Sequence, residues 1–322
     1  MKLTADPAAP WPAAAASAST TDREMITTVA VTTTWRVEGK RLVAVPAAEH
    51  WPVTTEPLIV GAAHLGVDLD HRRVLTDLLV LGEARTPGGR PLPKLVVRAA
   101  CGQLTHQTTV FGDRHWHRGL LGWRMSEPLP FATLPLTNDR AFGGVAVLDG
   151  EAAPHPTNPI GRGFHLSTAA LRDAPLPNLE RPDQLITAWT DRPIPALWYK
   201  GHAMLPPTDG TAGDVTAAIA ALTPQLFSDA IPALCAPWSA FGREVLLEGF
   251  LASGPLSLPL PTAPPASVRV QIGNHRSRFT LIPRRIVALP GPAALVVTWA
   301  TSFRWLFNPL DARAMSLDWN RP

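Results

Sequence analysis

The sequence predicts a mainly β fold, a β-rich α+β protein with sandwich-like or barrel-like antiparallel sheets, long Pro/Gly loops and one or two short helices. Runs of β-branched residues such as ITTVAVTTTWRV (26–37) recur along the chain, and such residues favour strands. The chain also contains 35 prolines, which interrupt helices and favour turns. Since 46% of residues are hydrophobic and 17% are charged, the composition is that of a folded chain.

The residue pattern of the N-terminal half predicts a flexible arm followed by paired strands. Residues 1–22 are rich in Ala, Pro and Ser and predict a flexible N-terminal arm. The EGK turn between residues 26–37 and RLVAVP (41–46) predicts a hairpin. TDLLVLGEA (76–84) and KLVVRAA (94–100) predict two strands, with the chain reversed between them by the Pro/Gly turn TPGGRP. HQTTVFG (106–112) predicts another strand.

Two short helices and a second set of strands are predicted further along. The helix candidates are STAALRD (167–173) and residues 213–222, where Asp214 can cap the start and Pro224 ends the helix. The later strands are EVLLEGFL (244–251), SVRVQI (267–272), SRFTLIPRRIVAL (277–289) and AALVVTWATSF (293–303). In SVRVQI, alternation places Val268, Val270 and Ile272 on one face. Residues 23–322 are therefore expected to form one β-rich domain, or two packed halves at 23–200 and 225–305, with the first and last strand sets packed together.

Charge and apolar patterning exclude several protein classes. The formal net charge is only +3 and the basic residues are scattered along the sequence, which argues against a nucleic-acid partner. No apolar run is long enough to span a bilayer, and the N-terminus lacks the apolar core of a signal peptide. We therefore expect a cytoplasmic protein without a membrane partner. Cys101 and Cys235 are expected to be free thiols.

The segment GDRHWHRG (112–119) is the strongest candidate for chemistry. On a strand, His115 and His117 would point the same way and could ligate zinc or copper, with His106 as a third ligand. No carboxylate or thiolate stands nearby at ligand spacing, so ordinary solvated histidines are the favoured interpretation. An alternative is an effector enzyme (a hydrolase) that uses Asp113 with His115 or His117, near Ser126.

Other enzyme motifs are missing from the sequence. It contains no GxSxG, GxxxxGK[ST] or GxGxxG pattern, so a nucleophile elbow and the usual phosphate-binding loops are not predicted. We expect no catalytic, cofactor or metal site. The eleven tryptophans leave open a carbohydrate-binding module with surface rings, although tryptophans more often fill cores and interfaces. Asp113, Arg114 and Arg140 are interpreted as polar residues that satisfy buried loop backbone.

An ordered series of motifs carries a family resemblance. The matching stretches are TDLLVLGEARTPGGRP (76–91), VFGDRHWHRGLLGW (110–123), PLTNDRAFGG (135–144), NPIGRGF (158–164), LPNLERPDQLI (176–186) and DRP (191–193). Together they resemble the family called domain of unknown function 2169, whose members are found beside type VI secretion genes. After DRP the chain departs from the family pattern, and LFSDAIPAL (226–234) is the only similarity to the motif expected there.

The resemblance implies a non-catalytic adaptor or chaperone. Its expected partners are an effector or its PAAR-type spike-tip protein, and possibly the valine–glycine-repeat spike. The motif residues interpreted as structural are Gly88, Gly89, Arg90, Phe111, Gly112, Asp113, Arg114, Arg140, Phe142, Gly143, Gly144, Asn158, Gly161, Gly163 and Asn178. The divergent segment after DRP is the predicted partner-binding surface, with Ile219, Leu222, Phe227 and Trp238 as candidates.

Overall fold

Strands dominate the fold, which is mainly β as predicted. The computed structural model describes residues 1–4, 9–21, 23–60, 63–120, 122–197 and 227–320, and its strands are numbered β1 to β25 in chain order. The helical elements in these ranges are three-residue 3₁₀ turns, and none of the described sheets closes into a barrel. The turns are Ala47–Glu49, Pro87–Gly89, Asn138–Arg140, Pro232–Leu234 and Trp238–Ala240.

A seven-stranded sheet joins both ends of the chain. Its strands lie in the order β1-β2-β24-β23-β6-β18, and β3 also pairs with β2. Only the β23–β6 pairing among these is parallel. The strands are β1 Ala13–Ser19, β2 Glu24–Glu38, β3 Arg41–Ala44, β6 Thr76–Val80, β18 Cys235–Ala236, β23 Ile282–Leu289 and β24 Ala294–Leu306. The pairing of β2 with β24 confirms that the first and last strand sets pack together.

Two of the buried threonines in β2 accept hydrogen bonds from tryptophan side chains. Trp35 and Trp299 each donate an indole N–H to Thr33 Oγ1 at 3.0 Å, and Trp305 donates to Thr27 Oγ1 at 2.9 Å. A buried hydroxyl without a partner destabilises a fold. The β-branched side chain therefore fits the strand, and the indole satisfies its hydroxyl oxygen.

Two further sheets share the main apolar core with the first one. The five-stranded sheet has the order β17-β9-β8-β19-β20, and the three-stranded sheet has the order β22-β21-β25. Their strands are β8 Lys94–Cys101, β9 Leu104–Phe111, β17 Leu179–Glu180, β19 Glu244–Glu248, β20 Leu256–Pro259, β21 Ala266–Ile272, β22 His275–Thr280 and β25 Arg313–Trp319. The core takes Val29 from the first sheet, Val97 from the second and Val268 from the third.

Five strand pairs complete the described structure. They are β4 Leu58–Val60 with β5 Ala63–Leu65, β7 Glu83–Arg85 with β12 Thr133–Pro135, β10 Trp116–Gly119 with β11 Gly122–Met125, β13 Phe142–Gly143 with β16 Arg162–Gly163, and β14 Val145–Leu148 with β15 Glu151–Pro154. A second, smaller apolar cluster around Trp116, Phe142 and Leu171 supports the loop-rich middle of the chain.

Several local features differ from the sequence expectations. Residues 13–19, predicted as part of a flexible arm, pair with β2, and Trp11 beside them is buried. STAALRD forms turns rather than a helix, and residues 213–222 lie outside the described residues. The predicted strand 277–289 is divided at Leu281 between β22 and β23, which belong to different sheets.

The expected reversal between strands 76–84 and 94–100 is only partly present. Gly88 and Gly89 do adopt positive φ angles of 61° and 68°, as a tight turn requires. However, β6 and β8 belong to different sheets. Strand β6 pairs with β23, whereas β8 pairs with β19 and β9. These pairings place strands from residues 23–200 beside strands from residues 225–305 in both large sheets.

Candidate functional site

An apolar cleft of about 360 Å³ lies between the seven-stranded and five-stranded sheets. Its walls come from β6, β8 and β9, from the motif residues Thr137 and Asn138, and from the chain on both sides of residues 198–226. The lining side chains include Leu78, Leu79, Val80, Val97, Ala99, His106, Leu136, Leu197, Ile231, Leu234 and Phe250. A concave, mostly apolar site with few polar groups is typical of binding sites.

The segment at one side of the cleft is anchored by a buried ionic cluster. Asp229 Oδ2 lies 2.9 Å from Arg73 Nη1 and 2.8 Å from Arg285 Nη2. Arg73 also pairs with Asp77 at 2.6 Å, and Arg285 pairs with Asp68 at 3.0 Å. All five side chains are at most 4% exposed, so these pairs fix the 229–234 wall to β6 and β23.

Backbone groups complete the coordination of this cluster. The Gly66 N–H donates to Asp229 Oδ1 at 3.0 Å, the Asp229 N–H donates to Asp77 Oδ2 at 2.8 Å, and the Thr54 N–H donates to Asp68 Oδ2 at 2.7 Å. Such bonds stabilise ionised carboxylates in a dry interior. The wall of the cleft is therefore rigidly held rather than loosely packed.

The cluster contains three carboxylates and two guanidinium groups. Burial raises the pKa of Asp77, and Arg73 only partly offsets this effect. Burial together with the Asp77 charge raises the pKa of the nearby Cys235 thiol to about 12. Because the thiolate is the nucleophile, Cys235 is an unreactive thiol at neutral pH. Cys101 is also free, and burial raises its pKa.

Arg114 of the GDRHWHRG segment is buried and serves the protein interior. Its guanidinium forms an ion pair with Glu180, donates to the Pro177 carbonyl at 2.9 Å, and stacks 3.8 Å from the centre of the Phe111 ring. Burial raises the pKa of Glu180, while Arg114 opposes that rise. This arrangement joins the end of β9 to β17, and it uses the planar shape that distinguishes Arg from Lys.

Asn178 connects two other motif residues. Its side-chain amide donates to the Phe111 carbonyl at 3.1 Å and to Asp113 Oδ1 at 3.0 Å. Its amide oxygen accepts from Arg140 Nη1 at 3.1 Å. The side chain of Arg140 is 28% exposed and that of Asp113 is 68% exposed. Arg140 therefore binds a side-chain amide rather than the carbonyls of the AFGG segment.

Asn158 and several motif glycines lie where backbone segments pass very close to one another. The Asn158 amide donates to the carbonyls of Asn138 and Phe142 at 2.8 and 3.0 Å. Gly143 approaches so closely that a Cβ on it would lie 2.1 Å from the Asn158 carbonyl oxygen. A Cβ on Gly112 would lie 1.7 Å from the Leu129 oxygen. Gly144, Gly161 and Gly163 have similar close neighbours, so these glycines permit backbone contact.

The three histidines considered as metal ligands are not arranged as one metal site. The rings of His115 and His117 have centroids 6.2 Å apart, whereas His106 Nε2 is bonded to the Ala196 carbonyl and to Thr108. Within the described ranges, no three His, Cys, Asp or Glu side chains could share a metal ion. For the hydrolase alternative, Ser126 Oγ accepts a hydrogen bond from the backbone N–H of His115. Asp113 Oδ1 accepts its hydrogen bond from the Asn178 amide rather than from a histidine ring.

The candidate partner-binding residues are distributed differently from the expectation. Ile219 and Leu222 lie outside the described residues. Phe227 is covered by the Arg72 guanidinium at 4.4 Å, and Trp238 packs against Phe241 with centroids 5.4 Å apart. Neither of these two rings lines the cleft. Arg90, at the end of the Pro87–Gly89 turn, is exposed.

The tryptophans are used for packing in the part of the chain that the structure describes. Trp11, Trp116, Trp299 and Trp305 are buried, and the other described tryptophans are half-buried. A carbohydrate-binding face usually presents exposed flat rings, so these positions do not favour that alternative. The exposed apolar side chains are instead mostly aliphatic, including Ile59, Leu120 and Leu310, with Phe307 as the aromatic exception among the described residues.

Neither the buried ionic cluster nor the cleft that its member Asp229 lines was predicted from the sequence. The available signal was a charge inside an apolar strand pattern, as at Asp77 in TDLLV and at Arg285 in IPRRIVAL. A charged residue in such a run requires a buried partner. Its partners stand far away in the sequence, so the pattern alone does not identify them.

The comparison with known families agrees with the motif series. Residues 21–300 match the family described as "Uncharacterized protein conserved in bacteria", domain of unknown function 2169 (DUF2169). The chain belongs to this family. No curated protein and no solved structure matches it. In this DUF2169 chain, three residues of the family-like motifs hold neighbouring loop segments together in the interior: Arg114, Asn158 and Asn178. A fourth motif residue, Asn138, lines the cleft.

No helix among the described residues is long and apolar enough to cross a membrane.

Proposed function

We propose that this chain is a cytoplasmic, non-catalytic adaptor that binds a type VI secretion effector or its PAAR-type spike-tip protein and helps to load it on the valine–glycine-repeat spike. The observation that carries the proposal is the apolar cleft between the two large sheets, with one wall fixed by the buried Asp229 cluster. An apolar site on a rigid frame gains affinity by excluding water from a partner's apolar side chains. The secretion context comes from the family resemblance.

The placement of the motif residues supports binding rather than turnover. Arg114 and Asn178 bond to backbone carbonyls and to neighbouring side chains of their own chain. Their polar groups are thus engaged in holding loops, whereas catalytic groups must reach a substrate. Burial holds the pKa of Cys235 at about 12, which also argues against nucleophilic use of this thiol.

The position of the cleft connects it to the segment where the chain departs from the family pattern. Leu197 precedes residues 198–226, Ile231 follows them, and both side chains line the cleft. Substitutions at Leu197 and Ile231 would therefore change the lining of the cleft while the sheets stay the same. This relationship supports a scaffold with a partner-specific rim.

The test is co-expression of the tagged full chain with the effector and the spike-tip protein encoded beside its gene. We expect a stable complex that survives size-exclusion chromatography. A specific interface of this kind typically buries about 1,200–2,000 Å². The same preparation should not hydrolyse peptidoglycan, lipid or nucleotide substrates. Turnover that is lost in Asp113→Ala would favour the hydrolase alternative and contradict the adaptor function.

A further inference from the structure

The three-stranded sheet carries a basic outer face that the sequence did not reveal. Arg269 on β21 stands directly opposite Arg278 on β22, and Arg276 stands opposite Gln271. Directly paired residues and residues two apart share one face of a sheet, so the three arginines lie on the same face. The side chains of Arg269 and Arg278 are 65% and 64% exposed, and Arg276 is exposed.

The carboxylate on this face does not neutralise it. Asp318 of β25 pairs with Arg269 and lies 3.5 Å from Arg278 Nη2. Arg269 and Arg278 therefore share one carboxylate, and they form a like-charged cross-strand pair. Such a pair is unfavourable for the isolated sheet. An external anion would relieve the repulsion.

The strand that carries two of these arginines is also a free edge. Among the described residues, β22 pairs only with β21, and the other side of its backbone is unpaired. Five of its six residues are exposed, while Phe279 turns inward and stacks on Phe303 with centroids 4.6 Å apart. A sheet edge with unpaired N–H and C=O groups can accept an added strand.

From this geometry we infer that β22 binds an extended acidic peptide segment of a partner protein as an additional strand. Carboxylates at alternate positions of that segment lie on the face of Arg276 and Arg278, and its backbone pairs with the β22 edge. The charge of the face and the free edge together select this occupant, because a strand adds side chains to each face with a period of two residues. The surface is separate from the cleft and does not depend on the proposed function.

The direct test uses a fluorescein-labelled peptide of alternating Glu and Val and the purified full chain at low salt. We expect saturable binding that weakens about tenfold or more in the double variant Arg276→Gln/Arg278→Gln, because each lost cation removes a contact to a carboxylate. The matched control is Arg41→Gln/Arg118→Gln, which removes the same charge from exposed positions on β3 and β10 and should bind as the unmodified chain does.

Two further probes separate strand addition from simple charge attraction. The same peptide N-methylated at alternate residues keeps its charge but loses backbone donors, and we expect its binding to be lost. Equal binding of the methylated peptide, or an equal effect of both double variants, would overturn the inference. Binding of duplex DNA that depends on Arg276 and Arg278 while the acidic peptide fails to bind would overturn it in favour of a nucleic-acid surface. Circular dichroism of each variant verifies the fold.

Discussion

Arg285 Nη2 lies 2.8 Å from Asp229 Oδ2, and this buried ion pair joins the central strand β23 to the segment that forms one wall of the cleft. Arg285 also pairs with Asp68 at 3.0 Å and donates to the Gly66 carbonyl. One side chain thus holds three separate parts of the chain. The shape of the cleft depends on it, since Asp229 itself lines the cleft.

We predict that Arg285→Met destabilises the fold by about 3–5 kcal/mol, because buried Asp68 loses its ion-pair partner and buried Asp229 keeps only Arg73. Urea unfolding followed by circular dichroism measures the change. Uncompensated buried carboxylates favour protonation, so the loss should be smaller at pH 5 than at pH 8. The control Arg36→Met removes an exposed pair with Glu49 and should change the free energy of unfolding by less than about 1 kcal/mol. Equal effects of the two variants would contradict the role of the cluster.

We predict that Gly112→Ala destabilises the fold by about 3 kcal/mol or more. The new Cβ would lie 1.7 Å from the Leu129 carbonyl oxygen, so the backbone at the end of β9 must shift. Gly291 is the control, since it has no positive φ and no atom within 4 Å of an added Cβ. Gly291→Ala should leave the thermal midpoint almost unchanged. A small effect of Gly112→Ala would show that the crossing at Leu129 adapts easily.

The pH dependence of stability should include a contribution from His106 in the cleft. Burial lowers the pKa of His106 below its ordinary value, so the folded state disfavours its protonation. The unfolded chain takes up this proton near its ordinary pKa of about 6.5. Stability is therefore fully present above that value and is lost as the pH falls through it toward the folded pKa.

The variant His106→Gln tests this contribution. Its free energy of unfolding should decrease less than that of the unmodified chain between pH 7.5 and pH 5.5, as measured by urea titrations at each pH. Identical slopes for the two proteins would show that His106 stays accessible to protons. His50, His155 and His165 also have lowered pKa values owing to burial, so the variant should retain part of the dependence.

Elemental analysis addresses the histidine pair of GDRHWHRG. We predict that purified protein contains no stoichiometric zinc or copper, because the ring of His106 is bonded to Ala196 and Thr108 and is not available as a third ligand. Two histidines without a third protein ligand form an incomplete site. Stoichiometric metal that disappears in His115→Ala/His117→Ala would contradict this prediction.

The sequence predicts the strands of this protein better than their partners. β-Branched runs identify β2, β21 and β24 because these residues fit a pleated, half-buried surface. Strand pairing depends on residues that are far apart in the sequence. For example, β6 pairs in parallel with β23, about 200 residues away. The turn at Gly88 and Gly89 follows from local chemistry, but that chemistry does not determine which sheet the next strand joins.

The candidate site was harder to predict for the same reason. The motif residues Arg114, Asn158 and Asn178 stand out in the sequence, yet the groups that they bind come from other loops. The cleft is lined by common aliphatic residues that carry no motif. The basic face of β22 likewise arises because pairing brings Arg269 opposite Arg278, although these residues look scattered along the chain.

The most direct test of the adaptor function measures the dissociation constant of the effector or spike-tip partner for three full-length proteins. Ile231 is half-buried and lines the cleft, whereas Leu310 is 90% exposed and does not. We predict that Ile231→Glu weakens binding by about 2 kcal/mol or more, because a charge then opposes burial of the partner's apolar side chains. Leu310→Glu should bind as the unmodified chain does. Unchanged affinity in a folded Ile231→Glu protein would contradict the assignment of the cleft as the partner site.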